Sequence, residues 1–393
     1  MTRNEIPLVV VAVVFAMCGS ALADFGPTGV DSSALGKGGA HTSEARGPSA
    51  VYWNPAGVGR SEGVLGVFSF GMLQRPDFGS NEFGSTERLF LAGSYGFGKE
   101  DALPEGLGLG AAIERPFPRF DYAARGGYPL GGGSVHRLGA TVSQDYLEVL
   151  VAAGFRPLEA DLLGGKGRLF VGMNLGLGFA YGNTSGDFRG PSVPGITELS
   201  EGKGTALLFP AGLGTQFTLS LDEIDLSLGV RYRGVMPLVD PVCLSFPRAG
   251  VDLAYTDLFM PPPQEGAVGL SVVFFDRLLH TLELSWYFFD GPDAFPNVVP
   301  HNYPVIKYGF EYRVPFDGDK KEIAMRFGLS SASVPENDRE TIYTNSATGI
   351  YFGWGLELGP LACFDAYFTL QIPGEGDVDS DTFLASVSYG VRF

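Results

Sequence analysis

A chain of 393 residues that is 45% hydrophobic, 13% aromatic and only 18% charged is too aromatic and too poor in charge to be disordered. Its formal net charge of −17 excludes nucleic acid as a partner, because phosphates call for a basic surface. No stretch reaches the roughly 18 consecutive apolar residues of a membrane-spanning helix, so the apolar content is dispersed, as strands with one apolar face require.

In chain order, residues 1–23 read as a signal peptide: Arg3 opens it, Ile6 to Met17 form a short apolar core, and Ala21-Leu22-Ala23 is a small-x-small cleavage site. The mature chain is expected to begin at Asp24. Met17 is too large before Cys18 for the usual lipidation pattern, so no lipoprotein is expected. Cys243 and Cys363 then remain; export makes a disulfide possible, and the sequence leaves their pairing open.

Residues 24–62 are too short for a domain and too apolar for a free tail. They carry a glycine-rich run with Gly36, Gly38 and Gly39, then Tyr52-Trp53-Asn54-Pro55-Ala56-Gly57. Glycine permits close backbone approach and positive φ, Asn-Pro favours a turn, and Trp53 is placed to anchor the turn against a wall. A plug, or hatch, inside a barrel mouth accounts for the segment.

Residues 63–393 read as the barrel. Sixteen segments are candidates: 64–72, 88–97, 106–114, 136–144, 147–156, 169–179, 204–219, 224–233, 249–255, 265–275, 281–288, 306–314, 322–330, 347–358, 361–370 and 382–393, the weak member 249–255 reading equally as loop. Strand side chains alternate faces. In 224–233 one face is Ile224, Leu226, Leu228, Val230 and Tyr232, and the other holds Asp225, Ser227, Gly229, Arg231 and Arg233. In 306–314 the second face holds Lys307, Gly309, Glu311 and Arg313, and in 281–288 it holds Glu283. Several segments reach the roughly 9–11 residues a tilted membrane strand needs. A spanning backbone must bond to itself, which leaves only helices and closed barrels. The expectation is an all-β, antiparallel transmembrane β-barrel of about 14 strands, within a range of about 12 to 16, even counts being favoured. Asp225, Arg231, Arg233, Glu283, Lys307, Glu311 and Arg313 are its expected lumen-facing charges. Residues 182–204, 236–248, 291–302 and 331–346 read as longer outer connections.

The last segment puts Phe383, Ala385, Val387, Tyr389, Val391 and Phe393 on one face. This resembles the terminal strand of outer-membrane barrels, which implies that Tyr389 and Phe393 belong to the signal read by a barrel-assembly machinery. Other chemistry is sparse. His41, His136, His280 and His301 lack metal-ligand spacing, and there is no nucleophile elbow or Cys-x-x-Cys. Ser143 lies on the opposite face from His136. No enzyme activity, metal or cofactor is expected.

The stretch from Leu35 to Val58 resembles the hatch signature of FadL-type transporters, a glycine-rich run followed by Asn-Pro-Ala, and the related PorV-like proteins, in which Tyr-Trp-Asn-Pro-Ala-Gly is common. Gly229-Val230-Arg231-Tyr232-Arg233, Met260-Pro261-Pro262, Gly309-Phe310-Glu311-Tyr312-Arg313 and Met325-Arg326-Phe327-Gly328 resemble further strands of that superfamily. The resemblance implies an outer-membrane location in contact with lipid, and passive passage of long-chain fatty acids or other hydrophobic compounds through a hatch-plugged barrel. The PorV side of it implies the alternative, binding or shuttling of secreted proteins. A purely structural surface barrel is a third reading.

Overall fold

Alternating strands leave their backbone unbonded until they find neighbours, and here the neighbours form a ring. The computed structural model describes residues 31–76, 83–99, 101, 103–115, 120–130, 134–189, 197–239, 242–246, 251–254, 263–288, 302–316, 321–332, 347–358, 362–373 and 382–392. Among these, the strands are β1 Gly63–Pro76, β2 Phe83–Gly96, β3 Gly108–Arg115, β4 Phe120–Leu130, β5 Ser134–Leu162, β6 Gly165–Arg189, β7 Thr197–Ser220, β8 Ile224–Val239 and β9 Val242–Phe246. They continue as β10 Val251–Ala254, β11 Gln264–Phe274, β12 Leu278–Phe288, β13 Tyr303–Phe316, β14 Lys321–Ala332, β15 Ala347–Leu358, β16 Ala362–Pro373 and β17 Thr382–Arg392.

Fifteen strands share one sheet in which every pairing is antiparallel. β1 pairs with β17, and β3 pairs with β5, so fourteen of them close into a barrel while β4 bonds only to β5. β3 and β4 lie end to end along β5, but their registers differ by two residues: Gly108 faces Gly154, whereas Phe120 faces Gln144. The tight β5–β6, β7–β8 and β11–β12 turns lie at one end, where β1 begins and β17 ends.

The alternation sorts the two faces. On β8, Leu228, Val230 and Tyr232 are exposed, while Ser227, Arg231 and Arg233 are buried. The exposed set continues around the ring through Val268, Leu270, Trp286, Met325, Phe352, Trp354, Phe368, Phe68, Leu91, Ile113, Val149, Met173 and Leu213, an apolar outer band of the kind that faces lipid. No helix among the described residues is long and apolar enough to cross a membrane. Leu228→Arg should therefore destabilise the barrel by about 2–4 kcal/mol if it lies near the midplane. Unfolding titrations in detergent or lipid would show it, and wild-type stability would contradict the outward assignment.

Three readings of the chain are corrected, and one that the sequence left open, 249–255, is decided. Segments 136–144 and 147–156 are one strand, β5, because the backbone of Gln144-Asp145-Tyr146 pairs without a break with Gly182, Tyr181 and Ala180 of β6. Residues 249–255 add no barrel strand; Val251–Ala254 pairs only with Val242–Phe246, inside a stretch read as loop. Residues 120–130 were not read as a strand, and they form β4. Residues 182–204 are largely the paired ends of β6 and β7, not a loop. The signal peptide and Phe393 lie outside the described residues. Tyr389 is placed by its backbone pairing with Phe68 and Phe364. Cys243 and Cys363 fall on β9 and β16, their side chains outside those described.

Candidate functional site

Inside the ring lie residues 31–60, folded as short helical turns. α1, Ser32–Leu35, is capped by Asp31, whose carboxylate accepts from the backbone N–H of Ser33 at 3.1 Å. Gly38 and Gly39 then reverse the chain at φ 69° and 74°, the left-handed region that glycine enters without strain. α2, Ala50–Trp53, ends at Asn54, whose side-chain oxygen accepts from the N–H of Ala56 at 3.2 Å and caps the next turn, Pro55–Arg60. Pro55 takes the first helical position, where its missing N–H costs nothing. Trp53 and Asn54 have no exposed surface.

The segment meets the wall in two ways. Toward β2, β3 and β5 the contact is apolar: Val51, Tyr52 and Val58 pack with Phe90, Ala92, Ala112, Leu150 and Ala152. Toward β6, β7, β8 and β12 it is hydrogen-bonded. Nδ2 of Asn54 donates to the carbonyls of Thr42 at 2.9 Å and Thr215 at 3.1 Å. Nε2 of Gln216 donates to the carbonyls of Thr42 and Ala45, both at 3.0 Å. Nδ2 of Asn174 donates to the carbonyl of Val51 at 2.6 Å. Glu283 accepts from the backbone N–H groups of His41 at 3.0 Å and Thr42 at 2.8 Å, and from Lys307 Nζ at 3.2 Å.

Charges are paired around the aromatic pair of the segment. Arg231 lies 5.2 Å from the Trp53 ring, Arg233 lies 4.8 Å from the Tyr52 ring, and Lys307 lies 5.9 Å from Trp53. Such contacts gain strength when desolvated. Arg231 pairs with Glu265, Arg233 with Glu148, and Lys307 with both Glu265 and Glu283. Nearer the tight-turn end, Glu311 holds Arg313 and Arg326, and Arg326 also reaches Asp365.

Within the segment, Lys37 lies 2.7 Å and His41 3.2 Å from Glu44. Burial alone would raise Glu44, but Lys37 and His41 override it and hold the carboxyl at about 2, below its ordinary 4.5. Asp31 is raised by burial and then by Asp365. Burial, with Arg46 second, lowers Arg60 to about 10, still charged at neutral pH. A depressed carboxyl stabilises the folded state above its unfolded pKa and loses that effect as pH falls through its folded value. A raised one gains on acidification, so Asp31 opposes Glu44. Residues 37–45 should loosen between about pH 4.5 and 2 while 31–35 stay packed. Pepsin cleavage mapped across that range would show it; uniform resistance would contradict the Glu44 assignment.

Of the expected charges, Arg231, Arg233, Glu283, Lys307 and Glu311 are buried inside the ring, and Asp225 and Arg313 are half-buried. Gly36, Gly38, Gly39, Trp53, Asn54, Pro55, Ala56 and Gly57 all lie in the packed segment. The sequence suggests that Gly229 and Gly309 would tolerate arginine if the lumen had room. There is none: a Cβ at Gly229 would lie 2.4 Å from the Thr42 carbonyl, and one at Gly309 would lie 2.8 Å from the Lys37 side chain. Glu114, Glu148, Gln216, Glu265, Arg326 and Asp365 were not picked out from the sequence. Their inward parity on alternating strands was the available signal, and the side chains they meet come from strands remote in sequence.

No protein-family model and no curated protein matches the chain. Solved structures do. The toluene transporter TodX of P. putida is 12% identical, with a TM-score of 0.56 over 93% of this chain and 99% of that one. The toluene transporter TbuX of Ralstonia pickettii is 17% identical, with a TM-score of 0.55 over 94% and 100%. A FadL homologue of Pseudomonas aeruginosa is 11% identical, with a TM-score of 0.57 over 95% and 100%. At these identities the likeness is one of fold, and the fold is that of the FadL-type barrels.

Proposed function

We propose that the protein passes hydrophobic compounds across an outer membrane by diffusion through the barrel, with residues 31–60 as a movable hatch. The observation that carries this reading is the way the lumen is filled. The segment lies inside the ring, held by side-chain hydrogen bonds, ion pairs and apolar packing, and it adds no strand to the sheet. Contacts of that kind can be exchanged without opening the barrel. The structurally similar proteins include toluene transporters, which favours compact hydrocarbons alongside long-chain fatty acids as substrates.

The test is uptake of labelled toluene and laurate by cells that express the protein, against cells that lack it. Faster entry of either supports transport. Unchanged entry of both, with impaired delivery of a secreted protein, would move the reading to a PorV-like shuttle. The mature protein should fractionate with outer membranes and migrate differently on gels with and without heating; recovery in the soluble periplasm would end the proposal. Deleting Phe393 should lower insertion and leave unfolded protein in the periplasm, and normal surface levels would remove its role as an assembly signal.

A further inference from the structure

One buried carboxyl group stands outside the pairing of the lumen. Glu114 on β3 has no exposed surface, and neither of its oxygens meets a hydrogen-bond donor among the described residues. Its register partner on β5 is Glu148, which takes the Arg233 guanidinium and accepts from the Tyr146 hydroxyl at 2.6 Å. The Arg233 and Tyr146 donors serve Glu148, and the two facing carboxyl groups share a proton, which leaves the remaining oxygen of Glu114 without a donor. A buried acceptor without a donor is expensive to keep, and a ligand that brings a donor would relieve that cost.

The surroundings say what kind of ligand. Glu114 stands at the end of the apolar wall: Phe90 is its register partner on β2, and Ala92, Ala112, Leu150 and Ala152 continue the wall. Three of those residues are alanines, so the wall is shallow where Val51, Tyr52 and Val58 now cover it. Ligand sites of this type combine an apolar lining with one or two polar groups that fix orientation.

Resting on the transport reading, we propose that this wall, uncovered when residues 50–58 move, binds compact apolar molecules carrying a hydroxyl or amine, with that donor placed on Glu114. The same site disfavours a carboxylate headgroup. A fatty-acid anion would be brought against Glu114 and Glu148, while Arg233 is already committed to Glu148.

The experiment compares entry of p-cresol, toluene and laurate into intact cells expressing the wild type, Glu114→Gln or Glu114→Leu, with cells lacking the protein as baseline. A ligand hydroxyl on Glu114 adds one hydrogen bond, so the wild type should prefer p-cresol over toluene severalfold. Glu114→Leu should abolish that preference while toluene still enters. Glu114→Gln, nearly isosteric and still an acceptor, should retain part of it. Gel migration with and without heating confirms that both variants fold. Equal handling of p-cresol and toluene by the wild type, a preference that survives Glu114→Leu, or faster entry of laurate than of p-cresol would each overturn the proposal. Entry of all three compounds at the baseline rate would instead remove the transport reading on which it rests.

Discussion

Glu283→Ala should detach residues 41–42 from the barrel wall and cost about 3–5 kcal/mol, the usual penalty for breaking a buried ion pair by removing one partner. Glu283 is 1% exposed and has both oxygens engaged. One accepts from the backbone N–H groups of His41 and Thr42, and the other from Ser285 at 2.9 Å and Lys307 at 3.2 Å. Truncation strands two backbone donors and leaves Lys307 with Tyr287 at 3.2 Å and the more distant Glu265 at 3.6 Å. Chemical unfolding in detergent would measure the loss, and hydrogen exchange at residues 37–45 would locate it. A variant that unfolds like the wild type and protects those amides equally would refute the latch. Glu283→Gln keeps an acceptor and should cost less.

The second large effect is expected at Asn54. Its amide donates to two carbonyls, its oxygen caps the Pro55 turn, and it has no exposed surface. The bond to Thr215 reaches the wall, while those with Thr42 and Ala56 hold the segment's own fold; at about 0.5–1.5 kcal/mol each, Asn54→Ala combined with Pro55→Ala should cost about 2–4 kcal/mol, most of it as lost order within residues 31–60. The sheet makes none of its own pairings through these residues, so the barrel should persist. Small solutes should leak, and entry of a hydrophobic substrate should change. Gly214→Ala should have the same outcome from the opposite side, since its Cβ would lie 1.9 Å from the Asn54 side-chain oxygen. Antibiotic sensitivity and single-channel conductance would report the leak. A collapsed barrel in either variant would make the segment a core element and not a hatch.

The barrel was legible because its cause is local. Lipid outside and polar contacts inside impose a two-residue period, and Leu228, Val230 and Tyr232 against Arg231 and Arg233 display it without reference to any partner. Strand ends were less legible. Gln144-Asp145-Tyr146 reads as a break because polar residues collect there, yet β5 runs through it, since pairing to β6 and not polarity decides where a strand stops. The interior was legible in kind but not in arrangement. That Glu283 would lie inward follows from parity. That it would bind the N–H groups of residues 41 and 42, more than two hundred positions away, is a property of ring closure. The room at Gly229 was left open for the same reason: nothing in its own strand reveals that Thr42 lies against it.

The pairing of β1 with β17 bears on how the molecule is made. The two strands paired there are the first and last of the ring in chain order, so the seam joins positions more than three hundred residues apart. Contacts of such long sequence separation are slow to form and leave intermediates with open edges. Residues 31–60 touch strands from β1 to β17, so one segment spans both sides of that seam. The segment is thus positioned to act as an internal mandrel, gathering distant strands around itself during biogenesis. A chain lacking it should show its first defect as delayed closure, before any change in the permeability of the finished pore.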